Sequence, residues 1–376
     1  DVKSAERELE KKYLDGRISR REFFVRASAF GLTAALSPTL LSGISTAATP
    51  KKGGKIRLAL SGGSTADTLD PTVSNDVFTI VLFVGTLHNY LTEIDHTGKL
   101  VGELAQSFES SPDARTWTFH LRQGVEFHNG KTMDADDVIT SINYHRGPDT
   151  KSTMKSLVAA VKTIKAPDKN TVVFELAAGD ADFPYKISER VFAIMPQKDG
   201  KPDWQSGIGT GAYMLQSFEP GVQATLKRNP NYWKPNRGYF DEVEMISIVD
   251  INARTNALLS GQVHVMDRCE VKTLNLLKKR PNIKVEEVSC TQHYTLPMNT
   301  TIAPFDNNDI RLALKYAIDR EAILKTVLKG HGMVGNDHPI HPSNPYYASD
   351  LEQLQYDPEK SKFHLKKAGL SSLSVD

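Results

Sequence analysis

The 376-residue chain has only two cysteines, Cys269 and Cys290, with no CxxC pair and no Cys/His cluster at zinc spacing. That excludes a disulfide-built scaffold or a structural zinc module and leaves stability to packing. Both cysteines fall near the ends of predicted strands, and spacing alone leaves open whether they pair or stay as thiols. An excess of one charge is also lacking, with 46 Lys and Arg against 45 Asp and Glu. No Lys/Arg-rich stripe or aromatic RNA-binding motif offers to neutralise phosphates, so a nucleic-acid partner is not expected. Beyond residue 50 there is no apolar run of the roughly 20 residues that a spanning helix needs. Gly207-Ile208-Gly209-Thr210-Gly211 has neither the Lys-Ser/Thr end of a P-loop nor the spacing of a dinucleotide fingerprint. The GxSxG and HExxH motifs of hydrolases are missing as well, although a catalytic set could still be assembled from distant positions.

What is present begins with a leader. Ser19-Arg20-Arg21-Glu22-Phe23-Phe24 precedes a mild apolar stretch over residues 27–44, then Ser45-Thr46-Ala47-Ala48. A positive region, an apolar region and a small-residue site, in that order, make an export signal. The pair Arg20 and Arg21 resembles the twin-arginine signal, whose translocase passes folded proteins. Ser28, Gly31, Ser37 and Pro38 make the apolar stretch too polar for a membrane anchor. Residues 1–50 are therefore expected to be a leader cleaved near Ala47 or Ala48, leaving a periplasmic protein.

With 39% hydrophobic and 24% charged residues, the remainder has the composition of a globular protein, and its length predicts more than one lobe. Alternation over residues 56–60 predicts a strand that ends in the glycine turn Ser61-Gly62-Gly63-Ser64. Residues 117–121 and 125–127 read as two arms of a hairpin turning at Gln123-Gly124. Asp134 and Asp137 mark a helix start, with Ala135, Val138, Ile139 and Ile142 on one face. Residues 243–249, 253–260 and 263–266 read as strand, helix and strand, the pattern of a mostly parallel sheet. A second crossover is predicted through Val271, Leu274 and Leu277 into a strand over residues 283–288. Helices are predicted over residues 308–317, after Asp319, and from Asp357-Pro358 to Gly369.

Several stretches, in this order, resemble the family-5 solute-binding proteins, the group of periplasmic dipeptide-, oligopeptide- and nickel-binding receptors. They are Trp117-Thr118-Phe119-His120-Leu121 running on to His128-Asn129-Gly130, then Asp134-Ala135-Asp136-Asp137-Val138 and Gly209-Thr210-Gly211-Ala212-Tyr213. Arg228-Asn229-Pro230-Asn231-Tyr232-Trp233, Asp309-Ile310-Arg311-Leu312-Ala313-Leu314 and Tyr356-Asp357-Pro358-Glu359-Lys360 follow. The resemblance implies an α/β fold of type II, with two lobes closing on a ligand and an extra domain inserted in the first. Mapped here, the first lobe holds residues 51–85 and 207–285, the insertion 86–206, and an incomplete second lobe 286–376. Family members run well past residue 376, and the chain starts at Asp1, so a fragment is expected.

The implied function is non-enzymatic: a monomeric receptor delivers a di- or oligopeptide to the permease of an ATP-binding-cassette importer by hinge closure. The expected ligand contacts are Gly62, Ser64 and Thr65 after the first strand and Gly209 and Thr210 at a crossing between lobes. His293, Tyr294 and Asn299 are expected to face them. For each of these the plainer alternative is a turn glycine or a satisfied core side chain. No cofactor or metal is expected; His338 and His341 carry imidazoles but lie between prolines without identifiable further ligands. An exported hydrolase and a ligand sensor for a membrane receptor are the other readings.

Overall fold

A computed structural model describes residues 50–288, 292–335, 337–342, 344 and 346–375. Those from Gly53 onward belong to one compact unit. Strand β1 (Lys55–Leu60) leads into the glycine turn, a short 3-10 turn at Pro71–Val73 and helix α1 (Val77–Phe83). Asp76 starts α1 by accepting from Phe78 N and Thr79 N, so two amides with no partner inside the helix are satisfied. A small pair follows, β2 (Thr92–Ile94) and β3 (Leu100–Gly102).

Four antiparallel strands come next: β4 (Ala105–Ser110), β5 (Thr116–Leu121), β6 (Val161–Asp168) and β7 (Thr171–Leu176), in the order β4-β5-β7-β6. Trp117, Phe119 and Leu121 on β5, with Val172, Phe174 and Leu176 on β7, turn the same face inward. They cover Val138 and Ile142 of helix α2 (Ala135–Asn143) and Phe183 of the short helix α3 (Phe183–Lys186). Helix α2 starts with the expected capping box between Asp134 and Asp137. The expected hairpin at residues 117–127 is corrected. β5 pairs with β4 and β7, while Val125 and Phe127 pair back onto Met133 and Lys131 through the tight turn at Asn129-Gly130. Each inward residue of β5 thus gains two strand neighbours, which a single hairpin arm could not supply.

After the two-residue strands β8 (Gln197–Lys198) and β9 (Lys201–Pro202), the chain enters the second sheet through β10 (Tyr213–Glu219), β11 (Gln223–Arg228) and β12 (Glu242–Ser247). Helix α4 (Ile251–Leu259) and β13 (Val265–Met266) complete it. The order is β10-β11-β12-β1-β13. The pairs of β1 with β12 and β13 are parallel, and those of β11 with β10 and β12 antiparallel. The sheet is therefore mixed rather than mostly parallel, because β10 and β11 are joined by a tight turn at Gly221 that only antiparallel neighbours permit. Alternation along β1 serves both faces: Leu60 packs with Phe78 and Leu82 of α1, and Ala59 with Ala257 of α4.

Helix α5 (Leu274–Lys278) forms, but no strand follows at residues 283–288. Val288 is exposed there, with no described strand alongside, so the alternating pattern has no ladder to join. Helices α6 (Asn308–Ala317), α7 (Arg320–Thr326) and α8 (Pro358–Lys367) begin at Asn307, Asp319 and Asp357, whose side chains accept from the first-turn amides. α6 and α8 are joined by Ser361 Oγ to Ala313 O (2.8 Å) and His364 Nδ1 to Asp309 Oδ1 (2.8 Å).

The two larger sheets meet along a polar seam. Gly211 N donates to Leu87 O (2.9 Å) and Tyr213 N to Thr86 O (3.0 Å), so the segment leading to β10 runs flush against residues 86–88. A Cβ at Gly209 would collide with the Leu87 carbonyl oxygen and the His88 ring, and only glycine fits. His128 N donates to Gly209 O (2.9 Å), Gly209 N donates back to His128 Nδ1 (3.2 Å), and Nε2 lies 3.0 Å from Gly211 O. Nδ1 is therefore the acceptor, and Nε2 carries the hydrogen donated to Gly211 O.

Buried Asn89 ties the seam together. Its Oδ1 accepts from Thr210 Oγ1 (3.1 Å) and Trp233 Nε1 (3.2 Å), and its Nδ2 donates to Glu103 Oε1 (2.6 Å) and Tyr232 OH (3.3 Å). Lys234 Nζ reaches Glu103 (2.6 Å) and Glu93 (2.8 Å), while Arg122 and Lys234 each lie 5.2 Å from the Trp233 ring centre. Burial holds the Glu103 carboxyl above its ordinary range, against the pull of Lys234.

Two outcomes follow from this packing. Asn89→Ala strands four partners and is expected to lower unfolding free energy by about 2–4 kcal/mol, against about 1 kcal/mol for Thr210→Val. Urea denaturation of both variants checks this, and equal losses would contradict a hub at Asn89. The second concerns acid. Burial pushes His88 down to about 3 and His145 down to about 4. The unfolded chain takes up those protons near pH 6.5 and the folded chain does not, so this contribution is complete above pH 6.5 and lost as pH falls toward 4. His145→Asn is expected to flatten the fall of stability between pH 6.5 and 4.5 by about 1.4 kcal/mol per pH unit, read from urea titrations at several pH values.

Candidate functional site

Strands β12, β1 and β13 run parallel and end together, and in open α/β sheets the carboxyl ends of the strands are where ligands gather. Three segments leave the sheet at that edge: residues 61–65 after β1, 248–250 after β12 and 267–268 after β13. Asp267 locks the first to the third, accepting from Ser61 N (2.8 Å) and Ser61 Oγ (2.5 Å). Buried Arg254 on α4 locks the second: Nη1 donates to Ile248 O and Val249 O, each 2.7 Å away, and Nε lies 3.5 Å from Asp267 Oδ1. Removing the Asp267 carboxylate would leave that guanidinium without its counter-charge.

On this scaffold sits the glycine turn. Gly62 O accepts from Ser247 Oγ (2.7 Å), and a Cβ on Gly62 would collide with Asp76 and the first amides of α1. Glycine is thus required by the packing of the turn on the helix start. Gly221, between β10 and β11, presses on the backbone of Ser64 and Thr65, and Ser64 N donates to Asp67 Oδ2 (2.8 Å). Burial, with the nearby Asp76 carboxylate, holds the Asp67 carboxyl above its usual range. Ser64, Thr65 and Val249 remain exposed, as does the Arg268 side chain, whose Nε lies 3.9 Å from Asp267 Oδ2. Half-buried Cys269 follows, its thiol pushed up by burial. The edge thus presents a guanidinium, a tethered carboxylate and a turn with exposed hydroxyls.

The residues expected to bind ligand fall in three places. Gly62, Ser64 and Thr65 lie at this edge. Gly209 and Thr210 lie in the buried seam, where Thr210 is 0% exposed and its hydroxyl is committed to Asn89. His293, Tyr294 and Asn299 lie on an irregular segment; Tyr294 is 86% exposed, and Asn299 Oδ1 accepts from Thr301 N (3.0 Å) and Thr301 Oγ1 (2.8 Å). The Asn299 side chain is thus spent on its own turn. Arg20, Arg21 and Cys290 lie outside the described residues. His338 Nδ1 accepts from Ile340 N (3.0 Å), and among the described residues no three His, Cys, Asp or Glu side chains are grouped to hold a metal. Ser152 and Lys155 have the Ser-x-x-Lys spacing of an acylating pair, but Ser152 is buried on His145 Nδ1 (2.7 Å) while Lys155 is exposed. No described helix is long and apolar enough to cross a membrane.

Asp267 and Arg254 were missed from the sequence. The rule that singled out Gly62, a residue just past a strand's carboxyl end, would have found Asp267 directly after Met266. Arg254 carried no such signal, because its role depends on carbonyls that it reaches only in the folded chain.

Comparison with known proteins places these features. Residues 99–374 match the family model described as bacterial extracellular solute-binding proteins, family 5 middle. The chain is 28% identical over 367 residues to di/tripeptide-binding protein 1 of Pseudomonas aeruginosa, a match covering 90% of this chain and 68% of that protein. It is 30% identical over 312 residues to the glutathione-binding protein GsiB of Salmonella paratyphi A, covering 82% of this chain and 60% of the relative. It therefore spans about two thirds of the length of these relatives. Among solved structures, the agropinic acid complex of AgaA from A. tumefaciens R10 superposes with a TM-score of 0.68 at 27% identity, covering 85% of this chain and 65% of the other. The periplasmic binding protein DppA of Helicobacter pylori, in complex with the peptide STSA, gives 0.73 at 24% identity, covering 87% and 68%. The fold is the α/β fold of the type II periplasmic binding proteins, and with most of its length inside the family match the chain belongs to family 5 of the bacterial extracellular solute-binding proteins.

Proposed function

We propose that this chain is the solute-binding receptor of an ATP-binding-cassette importer, taking a di- or oligopeptide outside the cytoplasm and handing it unaltered to the membrane permease. The family match over residues 99–374, with relatives named for di/tripeptide and glutathione binding, carries the reading. The edge at Ser64, Thr65, Asp267 and Arg268 supports it. A peptide has an ammonium, a carboxylate and a backbone, and the edge offers a carboxylate, a guanidinium and uncovered polar groups to match.

In this reading residues 51–85 and 207–285 form one lobe, 86–206 an insertion and 286–376 part of the opposite lobe. The five-stranded sheet draws its strands from residues 55–60 and 213–266 and the four-stranded sheet from 105–176, a division that agrees with such a plan. His293, Tyr294 and Asn299 would meet the peptide from the opposite lobe. A contact made only in the closed state shifts the population toward the form that the permease accepts. Residues 1–50, with Arg20 and Arg21, would direct export through the twin-arginine translocase, and the receptor would act as a monomer in the periplasm.

The chain is expected to gain thermal stability from tripeptides or glutathione, by about 2.7 kcal/mol at a hundred times Kd, and mass spectrometry should recover the ligand intact. Cleaved peptide would point to a hydrolase, and no shift across peptides, opines and nickel–histidine would remove the receptor reading. Arg268→Ala is expected to weaken peptide binding about tenfold in calorimetric titration while leaving the unliganded melting temperature in place, because the side chain is exposed.

A further inference from the structure

A cavity of about 510 Å³ opens on the far side of the seam, between residues 84–103, 188–190 and 212–238. None of its lining comes from the sheet edge around Gly62 and Asp267. Its hydrogen-bonding groups are unevenly committed. Lys234 is held by Glu93 and Glu103, and Glu103 also accepts from Asn89 and Tyr90 N, so these carboxylates are occupied. The donors are not. Arg190 Nε is buried with no hydrogen-bond partner, and the nearest carboxylate to its Nη1, that of Glu189, is 3.8 Å away. Arg237 is exposed and makes no ion pair among the described residues. The Tyr213 hydroxyl accepts from Phe240 N and the Tyr232 hydroxyl from Asn89 Nδ2, which leaves each O–H hydrogen with no recorded acceptor. Burial pushes both phenols up, so they stay protonated donors.

Arg237, the two tyrosine hydroxyls and the Arg190 guanidinium, paired only at 3.8 Å, surround one cavity and call for an anion. The charges of the lining choose which kind. Glu93, Glu103 and Glu189 balance Lys234, Arg190 and Arg237 in number, so a single carboxylate leaves one negative charge in excess and a dianion leaves two, which favours the monoanion. Apart from Ser188, whose hydroxyl donates to Tyr185 O, the rest of the lining is apolar or aromatic, with exposed Val84 and Ile94 beside the tyrosine rings. We propose that this cavity is a second binding site, for a small organic monocarboxylate with an apolar body, held by Arg190, Arg237 and the Tyr213 and Tyr232 hydroxyls. A site here shares no lining residue with the sheet edge and would be occupied independently of a peptide there.

Phenylacetate is a suitable probe, with inorganic phosphate as the dianion and 2-phenylethanol as the uncharged analogue, each titrated into the whole chain by calorimetry and ligand-observed NMR. Phenylacetate is expected to bind with a Kd of about 1 mM and the other two at least about tenfold more weakly. Arg190→Gln with Arg237→Gln is expected to weaken phenylacetate at least about tenfold, and Tyr213→Phe about threefold, with circular dichroism checking that the Tyr213 variant, which loses the acceptor for Phe240 N, keeps its fold. Absence of phenylacetate binding, unchanged affinity in the folded variants, or equal binding of phosphate would overturn the proposal. So would displacement of phenylacetate by a saturating tripeptide, since that would make the two sites one; failure of peptide binding alone would leave this site standing.

Discussion

One side-chain amide, that of Asn89, holds the place where the two larger sheets of this protein touch. Its oxygen takes hydrogens from the Gly209–Gly211 segment and from the indole of Trp233, and its nitrogen feeds Glu103 and Tyr232. Glu103 lies 14 residues away, but Thr210 and the neighbours Tyr232 and Trp233 lie 121, 143 and 144 residues away, so these three contacts close long loops. A buried polar network of this kind stabilises little while any member is unpaired and specifies one arrangement when all are paired. The glycines at 209 and 211 belong to the same constraint, because the backbone must lie directly against residues 86–88 for the amide to reach.

Three of the stretches that mark the family converge here. His128 follows the Trp117–Phe127 stretch, Gly209-Thr210-Gly211 crosses it, and Asn229, Tyr232 and Trp233 close it. Their chemistry is architectural: they fix residues 86–89 and 128 against the segments that flank the five-stranded sheet. In the proposed reading, recognition falls to the exposed side chains at the carboxyl edge of that sheet, Ser64, Thr65 and Arg268. Receptors with different solutes can share the seam and differ at the margin.

The sequence disclosed elements whose signals are local. Helix starts at Asp134, Asp319 and Asp357 could be read because a short side chain reaching the first free amides needs only neighbouring residues. Pairing partners are not local. The arm at Val125 looked like the mate of β5, yet β7, fifty residues on, offered a longer ladder, and the alternation at residues 283–288 found no mate among the described residues. For the site, Gly62 was visible as a turn after a strand. Thr210 looked equally available in sequence, and only the fold reveals that its hydroxyl is committed to Asn89. Donors drawn from residues 190, 213, 232 and 237 share a cavity that no spacing rule could have assembled.

The imidazole of His128 has one further consequence. Both ring nitrogens are engaged by a single passing segment, one receiving the amide of Gly209 and the other capping the carbonyl of Gly211. An incoming proton therefore has no lone pair to occupy until that segment lifts away, and because burial holds the imidazole below its ordinary range, acidification favours the parted form. The ring works as a rung that bears load only while it is neutral, so the joint is strongest above the ordinary imidazole range and loosens in acid.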